Sequence, residues 1–297
     1  MEKVFNFNWK IKEKPEYFLV KEVSEFEFDE KGQHFLYLLV KKNYNTKELA
    51  QKFHFNYAGL KDKNAITFQY VSTEKHIGNF IKEKHRDRFY ILSYLGKIKR
   101  KIKIGNLKGN KFSIKIENPD IKPKKWMINY YDLQRIENNW EKGREILKNL
   151  KSNKNKTRKK LKWIENFYID SYLSYLWNKS FEYYLMENFT GHFIQEKEFR
   201  FFIPETDYSY LMENVSKFWS ISGYKVNMDR EKEFYKKALR NDFEFEEFIE
   251  ILKKLRIKGD YRKTFVKVED LNINGKYISF FLPKGSYGTM YLKHIFR

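Results

Sequence analysis

Between residues 15 and 116 the apolar side chains fall into short blocks, several with the two-residue period of half-buried strands. Ile102 and Ile104 alternate with Lys101 and Lys103; Phe112, Ile114 and Ile116 alternate with Lys111, Ser113 and Lys115. Successive side chains of a strand point to opposite faces, so this pattern predicts a sheet with one apolar face and one wet, basic face. Residues 17–23 are β-prone, 35–40 form a continuous apolar run that reads as a buried strand, and 68–72 read as another. Asn45-Thr46 predicts the start of a short helix through about Phe53, capped by the threonine oxygen.

The character changes near Tyr131. Residues 148–162 hold eight Lys/Arg in fifteen positions, a tract expected to be exposed and available to phosphates. A helix follows with Ile169, Leu173, Leu176, Trp177, Phe181, Tyr184 and Leu185 on one stripe, and a second carries Phe245, Phe248, Ile249, Leu252 and Leu255, ending at Gly259. Residues 264–268 and 277–282 turn β-like again. The simplest organisation is a mixed α/β domain over 1–136, an inserted α-rich module over 137–262, and a return to the first domain over 263–297.

Composition narrows the partners. Lys and Arg exceed Asp and Glu by 21, and they recur along the whole chain rather than in a tail. With 41% apolar and 19% aromatic residues this is no disordered polycation, so a folded nucleic-acid-binding protein is expected, with an anionic membrane surface as the rival. The aromatic residues sit in core-type patterns rather than on one exposed stripe, which weakens the membrane reading. No apolar run approaches the ~18 residues of a membrane span. The absence of cysteine excludes a disulfide framework and Cys-ligated zinc and fits a cytoplasmic protein. Six scattered histidines offer no compact metal pattern. Residues 105–111 (GNLKGNK) fail the Walker pattern, since Phe112 stands where Ser or Thr is needed. A methyltransferase would need a glycine loop after a strand, and none fits.

The run from Tyr57 to Gln69 (YAGLKDKNAITFQ) puts one carboxylate, Asp62, between Lys61 and Lys63, after a glycine turn and before a β-type stretch. An aspartate between lysines is ordinarily a solvated ion pair of little energetic weight. It also suits a protein that must bring one carboxylate to a polyanion. Phe112 fits the core by alternation, yet an aromatic ring near a basic face can stack on an unpaired base.

Six separate segments together resemble the TruD family of RNA pseudouridine synthases. They are Pro15-Glu16-Tyr17-Phe18-Leu19-Val20-Lys21-Glu22; Asn45-Thr46; the loop from Ala58 to Gln69; Lys108-Gly109-Asn110-Lys111-Phe112; Asn129-Tyr130-Tyr131 through Gln134-Arg135; and Phe281-Leu282-Pro283-Lys284-Gly285-Ser286-Tyr287-Gly288-Thr289. Their order is that of the family, from residue 15 to residue 289. Tyr17 stands where Asp is common, Asp132-Leu133 replace the usual Gly-Glu, the stretch between Asn45 and the Asp62 loop is short, and the inserted module is small.

The resemblance implies an α+β fold: a pseudouridine-synthase core with a largely antiparallel mixed sheet, plus an inserted α/β module forming the other wall of an RNA cleft. It implies isomerisation of a uridine in structured RNA, typically position 13 of tRNA, with the nucleotide flipped out and with no cofactor and no metal. Asp62 would be the essential carboxylate, with Lys21 and Asn110 beside it and Phe112 stacked on the uracil. Phe18, Lys61, Lys63, Lys108, Gln134, Arg135 and Lys284, which lie in the matched segments, are expected to contact RNA. The expected partner is tRNA, with no membrane, and the expected state is a monomer. A non-catalytic RNA-binding module, in which charge alone acts and Asp62 is structural, is the alternative.

Overall fold

A computed structural model describes residues 3–116, 121–152 and 161–296, which leaves most of the basic 148–162 tract outside the described residues. Its contacts divide the chain into two compact units, Asn8–Ile121 with Lys267–Gly288, and Met1–Phe7 with Lys122–Val266 and Thr289–Arg297. The module expected over 137–262 lies wholly inside the second unit, which also takes both ends of the chain.

The first unit is built on a sheet. After β1 (Val4–Asn6), which belongs to the other unit, a 3-10 turn at Pro15–Tyr17 leads into β2 (Phe18–Val23). Then come β3 (His34–Lys42), α1 (Thr46–Phe53), β4 (Asn56–Tyr57), β5 (Ile66–Thr73), β6 (Phe80–His85), β7 (Arg88–Ile98) and β8 (Gly109–Lys115). The chain leaves to build β9 (Trp126–Ile128), α2 (Leu133–Ile136), α3 (Trp140–Ser152), α4 (Trp163–Asn188), β10 (Gly191–Glu196), β11 (Phe199–Pro204) and α5 (Tyr208–Asn214). It continues through β12 (Phe218–Ile221), α6 (Lys232–Leu239), α7 (Phe245–Lys254), β13 (Asp260–Lys263) and β14 (Phe265–Lys267). It returns with β15 (Glu269–Asn274) and β16 (Tyr277–Pro283), and ends in α8 (Gly288–Ile295).

The sheet runs β15-β16-β8-β2-β5-β3-β7-β6, with β4 beside β5. Only β2 and β5 pair in parallel; their neighbours in the sheet are antiparallel. This is the mixed, largely antiparallel α+β arrangement that the resemblance implies. Register fixes which side chains share a face. Phe18 lies opposite Ile114, Val20 opposite Phe112 and Glu22 opposite Asn110, while Val20 and Lys41 both neighbour Thr67 on β5. Phe18, Glu22, Lys41, Asn110 and Phe112 therefore project from one face, and Lys21 and Lys111 from the other.

One strand reading needs correction, and one long strand was not read. Ile102 and Ile104 do not form a strand: Ile102 is buried, its N–H bonded to Ser72 Oγ at 2.9 Å, whereas Ile104 is 74% exposed just before Gly105, whose φ of 87° turns the chain. The longest strand of the sheet, β7, has polar residues only at its ends and middle, so it shows no clean period of two.

In the second unit β1 pairs in parallel with β10, which pairs antiparallel with β11. The stripe residues Ile169, Leu173, Leu176, Trp177, Phe181 and Leu185 are buried, but so are Ser171, Ser174, Asn178, Ser180 and Glu182, so α4 is enclosed rather than one-sided. Asp132, which departs from the family pattern, is buried and bound by Thr289 and Lys293. Burial raises its pKa, but the Lys293 ammonium and these hydrogen bonds hold it below the usual carboxylate range. Among the described residues no helix is long and apolar enough to cross a membrane.

Candidate active site

The Asp62 loop is pinned to the sheet from beneath. Asn45, not Thr46, caps α1, accepting from Lys47 N–H at 3.3 Å. This frees the buried Thr46 hydroxyl to donate to Gln69 Oε1 at 3.1 Å and to accept from Lys61 N–H at 3.4 Å. Lys41, fully buried, donates to the carbonyls of Tyr44 and Asp62, each at 2.9 Å, and of Lys61 at 3.4 Å. Lys61 itself forms a buried ion pair with Glu22 of β2 at 2.7 Å, and Ser24 donates to the other Glu22 oxygen at 3.2 Å. One helix start and two strands thus hold two consecutive residues of the loop, Lys61 and Asp62.

Burial brings the Lys41 ammonium down to about 8, offset in part by the Asp62 carboxylate and reinforced by the charge of Lys61. In the unfolded chain this lysine titrates near 10.5. Between these values the unfolded state binds more protons, so this group makes stability rise with pH from about 8 towards 10.5, at up to ~1.4 kcal/mol per pH unit. Lys41→Met is expected to remove that contribution. Urea denaturation of both proteins from pH 7 to 10.5 checks it: the stability difference in favour of wild type should widen as pH rises, and a constant difference would contradict the assignment.

With its backbone fixed, the Asp62 carboxylate is held at both oxygens. Oδ1 accepts from Asn64 N–H at 2.9 Å, and Oδ2 pairs with Lys12. Lys12 sits 4.4 Å from the centre of the Phe18 ring, which supports its ammonium by a cation–π contact. Both charged side chains keep about a fifth of their surface exposed, so the carboxylate is ordered yet reachable. A groove of about 500 Å³ beside it is lined by Lys12, Asn43, Lys63, Asn64 and Arg88, among others.

Next to this pair lies an aromatic stack. Phe112 is stacked on Phe280 at 5.3 Å and meets Phe18 edge-on at 6.2 Å. Gly288 closes it: a Cβ there would lie 2.7 Å from the Phe112 ring. Asn110, opposite Glu22, leaves its buried Oδ1 without a hydrogen-bond partner among the described residues. A buried amide oxygen in that state favours a donor from a ligand.

The expected site residues fall into four groups. Asp62, Lys61, Phe18, Asn110 and Phe112 belong to this one constellation, although three of them do not have the form expected. Phe112, expected to stack on the uracil, is 7% exposed with its face against Phe280. Phe18 is 3% exposed, because strand alternation turns it inward under Lys12. Lys61 is committed to Glu22. Lys63, Lys108 and Lys284 are exposed in the same unit, with Lys108 paired to Glu25 and Lys284 donating to Gly105 O at 2.9 Å. Lys21 is on the opposite face of β2 and lacks an ion pair with Asp62. Gln134 and Arg135 belong to the second unit, where Arg135 faces Asp170 at 3.6 Å. The cation on Asp62 is Lys12, three residues before Pro15 and outside the matched segments. The burial of Glu22 was readable from its two-residue spacing from Phe18 and Val20; nothing in the sequence pointed to Lys12.

A model of the TruD family, described as tRNA pseudouridine synthase D, matches residues 4–135 and 129–295. The chain belongs to the TruD family. A tRNA pseudouridine synthase D from Helicobacter acinonychis is 30% identical over 366 residues, covering 98% of this chain and 92% of the relative. Another, from a Nitratiruptor species, is 33% identical over 193 residues, and there the chain spans about half (51%) of the relative's length. The crystal structure of a TruD from Methanosarcina mazei superposes with a TM-score of 0.61 at 18% identity, covering 97% of this chain and 93% of that one, which establishes the TruD fold.

Proposed function

We infer that this protein is a tRNA pseudouridine synthase, an isomerase that converts a uridine of tRNA to pseudouridine in the cytoplasm. The family match over nearly the whole chain supports the activity. The observation that carries the site is the Asp62 carboxylate, ordered at both oxygens, still accessible, and linked through Lys12 and Phe18 to the Phe112 ring. In the reaction the C1′–N1 bond breaks, the base turns, and a C1′–C5 bond forms. The C5 hydrogen leaves as a proton and N1 gains one, so no electrons are gained or lost. Asp62 acts on the nucleotide as nucleophile at the sugar or base, or as the base that takes a sugar proton. Each of these uses the carboxylate that Lys12 and the Asn64 N–H hold in place. The flipped uracil reaches the ring edge of Phe112 and gives its N3–H to the unpaired Asn110 oxygen. The target is the uridine at position 13, the typical one for the family.

Release of tritium from tRNA carrying 5-tritiated uridine tests the reading, because the C5 hydrogen is lost only when C5 becomes the point of attachment. Release by wild type is the expected result; binding of tRNA with no release would favour the non-catalytic reading.

A further inference from the structure

Between β7 and β8, Lys99, Arg100, Lys101 and Lys103 project into solvent within five positions. Among the described residues these four have neither a carboxylate partner nor a hydrogen bond through their side chains. Four other cations of the same unit, Lys12, Lys61, Lys108 and Lys111, each hold an acid instead. Packing four like charges side by side is unfavourable unless an anion neutralises them.

Their backbone is not loose. Ile98 and Ile102 are both 3% exposed and pack with Leu36 and Ala58, and Ile102 N–H bonds Ser72 Oγ. Asn106 closes the following turn, accepting from Lys103 N–H at 3.1 Å and donating its N–H to Lys103 O at 3.0 Å. The segment is also bolted to the Asp62 loop, because Gly105 N–H donates to Ala58 O at 2.7 Å. Ala58 and Asp62 are four residues apart, so at most ~14 Å of chain separates that anchor from the carboxylate. Lys99, Arg100 and Lys101 line a groove of about 460 Å³, which Glu25 and Glu27 also line, so two carboxylates face three of the four cations. Glu25 is held by Lys108, so it is not free to neutralise them.

We propose that Lys99, Arg100, Lys101 and Lys103 form a preordered phosphate-binding surface that grips the RNA strand a few nucleotides from the uridine delivered to Asp62. This rests on the proposed function and adds to it a strand-anchoring element within the same unit as the carboxylate. Exposed cations of this kind position RNA through its backbone and carry no base specificity.

The test replaces all four by glutamine and compares tRNA binding across a salt series with wild type. The control is a matched set, Lys31, Lys75, Lys82 and Lys84 to glutamine, which are also exposed cations of this unit. The four-site variant should bind tRNA ~10-fold or more weakly near 0.1 M salt, with the slope of log K against log salt reduced by about 3. Its single-turnover rate at saturating enzyme should stay within about twofold of wild type, because the residues position rather than react. The control set should change affinity less than about threefold and leave the slope intact. Unchanged affinity and slope in the four-site variant, or an equal loss in the control set, would overturn the proposal. Absence of activity in wild type would count against the proposed function alone, since the binding comparison reads this surface independently.

Discussion

Asp62→Asn should lower single-turnover pseudouridine formation by at least ~10³-fold while tRNA affinity stays within about threefold. The substitution is nearly isosteric. The amide oxygen can still accept from Asn64 N–H, and Lys41 still binds the backbone carbonyl of residue 62, so the loop keeps its anchors. What disappears is the negative charge that faces Lys12 and the electron pair that acts on the nucleotide. Rapid-quench assays with enzyme in excess over tRNA separate this loss from any change in binding. Retention of more than about a tenth of the wild-type rate would remove Asp62 from the chemistry.

Lys12→Gln carries the second largest expected effect, on the order of a 10²-fold fall in the same rate. Lys12 is the cation on the Asp62 carboxylate, and Phe18 holds its ammonium in place. Lys12→Arg should recover part of the loss, since a guanidinium can still pair with a carboxylate and lie over a ring. Lys21→Gln should cost less than about threefold, because its side chain leaves β2 on the opposite face and touches none of these groups. In the Asp62→Asn background the Lys12 change should add little, as expected for two groups acting as a unit. If Lys21→Gln were the damaging change and Lys12→Gln the mild one, the pairing described here would be wrong.

The contrast between these two lysines shows where the sequence was legible and where it was not. Alternation within residues 17–23 specifies that Phe18, Val20 and Glu22 share a face, and the same rule puts Asn110 with Phe112. Applied strictly, it also turns Lys21 away from them. Strands β2, β3, β5, β8, β14 and β16, the loop with its aspartate, and the long helix were therefore readable from local pattern. Lys12 was not, because its φ of 67° and its reach to a loop fifty residues later belong to no local period. Lys41 was equally hidden: a lysine at the end of an apolar run looks like an exposed strand end, and only the three carbonyls converging on it explain its complete burial. The cap of α1 was placed on the right dipeptide but the wrong residue, since Asn45 and Thr46 are both good caps and only the tertiary bond from Thr46 to Gln69 divides their roles.

Mapping the product tests the role of Asp62 in the isomerisation. Purified protein would be incubated with an unmodified tRNA transcript, no cofactor added and EDTA present, and pseudouridine located by carbodiimide-dependent reverse-transcription stops beside an Asp62→Asn control. The catalytic role of Asp62 predicts one new stop, at position 13, with wild type and not with the variant. Salt-sensitive binding with no stop on any tRNA, or the same stop with Asp62→Asn, would contradict it.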